Sequence, residues 1–353
     1  MTEQTIIRAA IIGYGGMGKW HGARLQQNEA VELAGTYDID PERMALAREN
    51  GIHTYESLEA VLADPTVDLV TVAIPNHLHR AVCIRAMEAG KHVVCEKPVT
   101  LSSEDLLAMY KAAHDNHVLF TVHQNRRWDE DYLIVKKLLE DGTLGKVFRI
   151  ESRVHGSRGI PGDWRAKKEY GGGMVLDWGV HLLDQALLLT DSPIRSVYAQ
   201  LSHVTNDECD DGFTVQLTFQ NGLALEVQVG TCNFISLPRW YVLGDKGSAV
   251  IESFRKNDGR ICLVSDWERR DAAPVVTAAG LTKTMAPRTG ETLQELPLPH
   301  VDSDVGDFYR NVAAVIHGKA QPIVTHEQVL RVMKLMEAVF RSAETNCVIT
   351  DVQ

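Results

Sequence analysis

A change of pattern near residue 124 constrains the fold more than any other feature. Before it, short apolar runs alternate with helical stretches: runs at 6–12, 31–37, 67–74, 92–95 and 118–123, and helices predicted at 17–27, 40–50, 79–89 and 103–115. Strand–helix alternation at this spacing means βαβ units around a parallel sheet. The continuous apolar character of 67–74 is that of a strand buried on both faces. After residue 124 come a helix at 130–140, a strand at 147–154, a glycine-rich loop at 156–173 and a helix at 174–189. Strands then follow one another at 197–203, 214–219, 224–229 and 239–243, and Asn221-Gly222 supplies a hairpin turn. Consecutive strands imply a largely antiparallel sheet. The segment 277–298 is polar and turn-rich and reads as a long loop or lid, before closing helices at 305–316 and 327–343.

The predicted fold is α/β, with a doubly wound parallel sheet in residues 1–124. A second α/β domain, on a largely antiparallel open sheet, takes residues 125–353. A chain of 353 residues is long enough for two such cores. Its 47 acidic and 36 basic residues leave a net charge of −11, which argues against nucleic acid or an anionic membrane as partner. The N-terminus lacks a secretory pattern and no apolar run reaches membrane-spanning length. The six cysteines are scattered without a CxxC pair, as expected of reduced thiols in a cytoplasmic protein, and no metal-ligand spacing is present.

Gly13-Tyr14-Gly15-Gly16-Met17-Gly18 follows the first strand and opens the first helix. Gly13 permits the tight turn, Gly15 lets backbone amides approach a pyrophosphate, and Gly18 lets helix and strand pack closely. The helix N-terminus favours the anion. Asp38 ends the second strand, 20 residues after Gly18, where a carboxylate accepts hydrogen bonds from the ribose of NAD and repels the 2′-phosphate of NADP. A dinucleotide-binding Rossmann domain that prefers NAD is the expectation.

Two further groups bear on chemistry. Glu96-Lys97-Pro98 follows the fourth strand, so Lys97 lies at the carboxyl edge of the sheet where ligands bind. Asp177 and His181, after Gly171-Gly172-Gly173, are spaced i, i+4 on an otherwise apolar helix, with Asp184 near the same stripe. Polar groups on such a face need a reason. Mutual satisfaction of Asp177 and His181 at a domain interface is one, and catalysis is the other.

Together, Gly13-x-Gly15-x-x-Gly18, Glu96-Lys97-Pro98 and Gly-Gly-Gly-x-x-x-Asp177-x-x-x-His181 resemble the Gfo/Idh/MocA oxidoreductases, and the resemblance spans essentially the whole chain. It implies NAD as cofactor and a homo-oligomer joined through the open sheet. It implies Lys97, Asp177 and His181 as the catalytic set, with His181 as base, Lys97 stabilising the reacting oxygen, and Asp177 orienting substrate or His181. Weaker matches add Pro75, Asn76 and His79 at the nicotinamide ribose, and Trp164 and Arg165 reaching the cofactor. With the glycines, Gly16, Met17, Asp38, Glu96 and Lys97 complete the expected cofactor set. His123, Asn125, His155, Arg158 and Trp164 join the catalytic three as candidate substrate contacts, and Arg126, Arg127 and Trp128 fall at the domain junction.

This polar, aromatic-walled set suits a polyhydroxylated ring. The expected reaction is oxidation of a secondary hydroxyl on a sugar, glycoside or cyclic polyol. The loop 158–164 resembles that of relatives acting at C3 of glucosides or C-glycosides. Inositol or aldose oxidation, NAD-dependent glycoside hydrolysis through transient oxidation, and non-catalytic nucleotide sensing are the alternatives.

Overall fold

The computed structural model describes residues 6–352 except Lys283. Its first sheet is parallel, with strands β1 (Ile7–Ile12), β2 (Val31–Tyr37), β3 (Leu69–Val72), β4 (His92–Cys95) and β5 (Phe120–Val122) in the order β2-β1-β3-β4-β5. Helices cover both faces, so every residue of β3 is buried. That burial explains the unbroken apolar run. The reversal of strand order beside β1 opens a crevice at the carboxyl ends of the strands.

The second sheet has eight strands. They are β6 (Val147–His155), β7 (Ile194–Ser202), β8 (Gly212–Phe219), β9 (Ala224–Gly230), β10 (Trp240–Gly244), β11 (Gly247–Ile251) and β12 (Gly259–Val264), and, beyond the hairpin β13 (Val275–Thr277) and β14 (Gly280–Thr282), β15 (Leu293–Leu296). The order is β15-β12-β11-β10-β6-β9-β8-β7. Only the β6–β9 pair is parallel among these neighbours. The α/β class with one parallel and one largely antiparallel sheet is thus as the sequence implies. The segment 277–298 differs from the expected loop: it contributes β14 to the hairpin and β15 to the sheet edge. Both strands are short and partly exposed, so neither leaves an apolar run to read.

Strand alternation gives the second sheet two unlike faces. Val215, Leu217 and Phe219 of β8 and Leu225 and Val227 of β9 pack toward the helices, while Glu226 and Gln228 turn the other way. The helix Val180–Leu188 is buried at almost every position because it is sandwiched between this sheet and the helix His326–Thr345. One buried pair fixes it. Arg127 donates to both Asp184 oxygens (2.8 and 2.7 Å), and also to Ile323 O and Gln328 Oε1. Asp184 and Arg127 therefore anchor the helix and do not line the crevice. Among the described residues, no helix is long and apolar enough to cross a membrane.

Candidate active site

The cofactor crevice starts where β1 ends. Gly13 has φ +94°, and a Cβ there would lie 2.3 Å from Ala73 O; one on Gly18 would lie 1.8 Å from Gly13 O. Turn and helix meet only because both positions lack side chains. The helix Gly16–Leu25 begins after Gly15 with no side-chain cap, so its first amides, through Met17, are left for an anion. Asp38 accepts hydrogen bonds from the amides of Tyr14 (2.7 Å) and Asp40 (2.9 Å), with Arg43 Nη1 at 3.3 Å. Gly13, Asp38, Arg43, Ile74 and Pro75 line a cavity of about 570 Å³. A glycine cradle opening on a carboxylate-bearing cleft fits a dinucleotide. Arg43, unremarked in the sequence, also comes within 3.4 Å of a Cβ position on Gly15.

Lys97 lies just beyond β4, before a cis Lys97–Pro98 peptide. Its Nζ donates to the carbonyl oxygen (2.9 Å) and Oδ1 (3.1 Å) of Asp177. From the other side Arg165 Nε donates to Asp177 Oδ2 (2.9 Å), with its own Nη1 on Asp163 (2.8 Å) and its guanidinium 4.6 Å from the Trp164 ring. Burial opposes the Asp177 charge, but Lys97 and Arg165 outweigh it and hold the carboxyl below its ordinary range. Asp177 thus serves the Lys97 side of the site, and no side-chain hydrogen bond joins it to His181 among the described residues.

Asp177 sits in one wide π-helical turn, Val175–Gly179, that precedes the regular helix carrying His181. Such turns favour functional sites. His181 is buried, and its Nδ1 has no partner among the described residues. Burial, then Lys97 and Arg126, push the imidazole well below its ordinary value against the pull of Glu96. It is neutral at physiological pH. Arg126 lies 4.1 Å from the Trp178 ring and pairs with Asp129 (2.9 Å), while half-buried Asn125 has its enclosed Oδ1 unpartnered among the described residues.

Several expected contacts fall elsewhere. Both ring nitrogens of buried His79 meet backbone carbonyls, Pro98 O (3.0 Å) and Ile74 O (2.9 Å), so its ring has no free edge for a ribose. Asn76 is buried and donates to Gly171 O (3.1 Å), tying the loop after β3 to the glycine-rich loop. Ser152 contacts Arg239, which reaches Gln185 on the site helix. His155, an odd number of residues further along β6, therefore points to the opposite face, where it meets Gln228 (3.2 Å). Arg158 is exposed on a loop bound to Thr205 and Thr231, with no hydrogen bond to the Lys97 group.

Glu96 and His123 are also interior. With His21 they bring three ligand-type atoms within 4.8 Å of one another, a spacing that would suit a cation. Glu96 Oε1 meets both imidazoles, while the buried His123 Nε2 has no partner among the described residues. Sequence spacing does not reveal this trio, because residues 21, 96 and 123 come from three elements.

Residues 7–124 match the family model described as an oxidoreductase family with an NAD-binding Rossmann fold, and residues 132–250 match the GFO/IDH/MocA C-terminal domain. An uncharacterised oxidoreductase of Schizosaccharomyces pombe is 33% identical over 315 residues, 84% of each chain. This chain belongs to the Gfo/Idh/MocA oxidoreductase family. Among other relatives in that family, the scyllo-inositol 2-dehydrogenase (NADP(+)) of Bacillus subtilis is 28% identical over 345 residues, covering 96% of this chain and 94% of that one. An NAD-binding protein of Listeria innocua shares the fold with a TM-score of 0.93 and 48% identity, over 98% and 99% of the two chains. The Gfo/Idh/MocA N-terminal domain binds NAD(P).

Proposed function

We propose that this family member oxidises a secondary hydroxyl on a sugar, glycoside or cyclic polyol, with NAD as hydride acceptor. The observation that carries this reading is the meeting of Lys97 with the turn leading into His181, a charged donor beside a neutral buried base. Two of the three Lys97 N–H groups are spent on Asp177, which leaves one for a substrate oxygen. The neutral His181 takes the hydroxyl proton. As the carbinol C–H pair departs as hydride, the oxygen becomes a carbonyl polarised by Lys97. Asp177, clamped by Arg165, keeps the ammonium aimed. Nicotinamide, when bound, accepts the hydride. Gly13, Gly15, Gly16, Met17, Gly18, Asp38 and Pro75 would hold the dinucleotide in residues 1–124. Residues 125–353 supply the substrate side and the contact between subunits.

Trp164, beside the Arg165 that clamps Asp177, supports the loop 158–164 as a substrate wall, and C3 of a glucoside is the first regiochemistry to test. Cyclic polyols are the second, favoured by the inositol-acting relative. The test is NADH formation by purified protein with methyl glucosides, C-glycosides, inositols and aldoses, with aglycone release followed in parallel. Lys97→Ala and His181→Ala should each cost roughly 100- to 10,000-fold in kcat while the protein still binds NAD. Aglycone release without net NADH would make the reaction a hydrolysis. Unchanged turnover in both variants would remove Lys97 and His181 from the chemistry.

A further inference from the structure

Glu96 sits at the end of the fourth parallel strand and is almost fully enclosed. Its Oε1 meets His21 Nε2 (2.9 Å) and His123 Nδ1 (2.8 Å), and its Oε2 accepts the main-chain N–H of Lys97 (3.1 Å). Beyond His21, the ring Nδ1 meets Tyr309 Oη (2.7 Å), which meets Thr71 Oγ1 (3.1 Å).

The proton positions follow from donor counting. An ionised carboxylate only accepts, so His21 Nε2 and His123 Nδ1 each carry hydrogen. Burial keeps His21 neutral, which makes its Nδ1 an acceptor. Tyr309 therefore donates to His21, and Thr71 donates to Tyr309. Burial works against the Glu96 charge, yet His123 and His21 hold the carboxyl well below its ordinary range. The result is a standing anion inside the protein, and a buried charge is costly unless something nearby uses it.

We propose that Glu96, braced by His21, His123 and Tyr309, is a positioning residue that fixes the Lys97 main chain and supplies the negative charge against which His181 takes up the substrate proton. This rests on the reading of Lys97 and His181 given above. Glu96 holds the main chain of Lys97, whose Nζ reaches the turn leading into His181. The charges that act on His181 are Lys97 and Arg126, which resist its protonation as His123 does, and Glu96, which favours it. On the site helix itself, Asp177 is matched by Lys97 and Arg165, and Asp184 by Arg127. Glu96 alone among these carboxylates has no cationic side chain hydrogen-bonded to it unless a histidine is charged. Proton transfer turns His181 into a buried cation, and Glu96 lowers the cost of that state.

Two measurements decide it. The first needs no substrate: ¹⁵N-histidine NMR of the wild-type protein should show His21 as the neutral Nε2–H form and His123 protonated at Nδ1. A His21 proton on Nδ1 would overturn the network. The second uses Glu96→Gln with whichever substrate turns over. We expect kcat to fall roughly 10- to 100-fold, with KM and NAD affinity within about 3-fold. The acid limb of the kcat profile should move to lower pH, because His181 becomes harder to protonate. Wild-type kcat, or a loss of activity with the limb unmoved, would overturn the charge-setting role. If Glu96→Gln fails to fold, the wild-type NMR measurement stands as the test, and a His21 proton on Nδ1 overturns the proposal. Absence of turnover on every substrate would count against the proposed reaction, and the NMR result would still decide the network.

Discussion

Asp210 offers a test of how the site helix is held. It lies 5% exposed before β8, accepts the Val175 N–H on Oδ2 (2.8 Å), and accepts the Met174 N–H on its own carbonyl (2.9 Å). It thus caps the start of the turn carrying Asp177. Burial pushes its carboxyl from an ordinary value of 3.8 up to about 7, although the amides pull the other way. The folded chain therefore holds a proton that the unfolded chain has released between those two values. Its contribution to stability is full below about pH 4 and is lost as pH rises through 7. At about 1.4 kcal/mol per pH unit, the full span is worth about 4 kcal/mol. Between pH 5 and pH 8.5 the loss is about 2–3 kcal/mol. Asp210→Asn keeps the acceptor and removes the titration. Urea unfolding should find the stability of the variant relative to wild-type rising by about 2–3 kcal/mol between pH 5 and pH 8.5. Other titrating groups affect both proteins alike, so the difference isolates this carboxyl. A gap that does not change with pH, or one that grows in favour of wild-type in alkali, would refute the reasoning.

Three further outcomes are expected. Because His181 is held well below its ordinary value, kcat/KM should stay flat from pH 8 down past 6.5 and fall only at lower pH; a limb centred at or above 6.5 would exclude it as the base. Gly18→Ala puts a Cβ 1.8 Å from Gly13 O and should weaken NAD binding about 100-fold or more by calorimetry, whereas wild-type affinity would show that the turn can open. Asp38 should make NADP bind about 10-fold or more weakly than NAD, and Arg43→Ala should widen that gap by roughly another 10-fold through loss of its contact to the 2′-phosphate. An unchanged NADP affinity in Arg43→Ala would show that the guanidinium does not reach that phosphate.

Features written in local sequence were legible. The parallel sheet, the glycine turn and Asp38 depend on short-range spacing, and the pattern change near residue 124 separates the two sheets. Resemblance grouped Lys97, Asp177 and His181 but paired Asp177 with substrate or His181; its contact with Lys97 was not legible, because 80 residues separate the partners and the fold alone joins them. Residue type misled at His79 and His123, where imidazoles suited to chemistry serve as interior hydrogen-bond partners. It misled differently at His155, where strand parity turns the ring to the far face of the sheet. Arg43 escaped notice because a half-exposed arginine on a helix resembles any solvated cation until the cleft beside it is seen. The trio of His21, Glu96 and His123, like the wide turn at Val175–Gly179, leaves no periodic trace.

That wide turn makes the site sensitive to chain length as well as to residue identity. A π-turn accommodates a peptide that a regular helix would not, so losing one residue from 175–179 would let the segment relax into ordinary α-helix. Each residue of α-helix turns through about 100°, and everything before the deletion would rotate by that amount relative to His181. Asp177 would then swing off the Lys97 side of the cleft even though every functional side chain remained in the sequence. Homologues with an unaltered Asp and His but a helix shorter by one residue in this stretch would therefore be expected to hold their lysine differently.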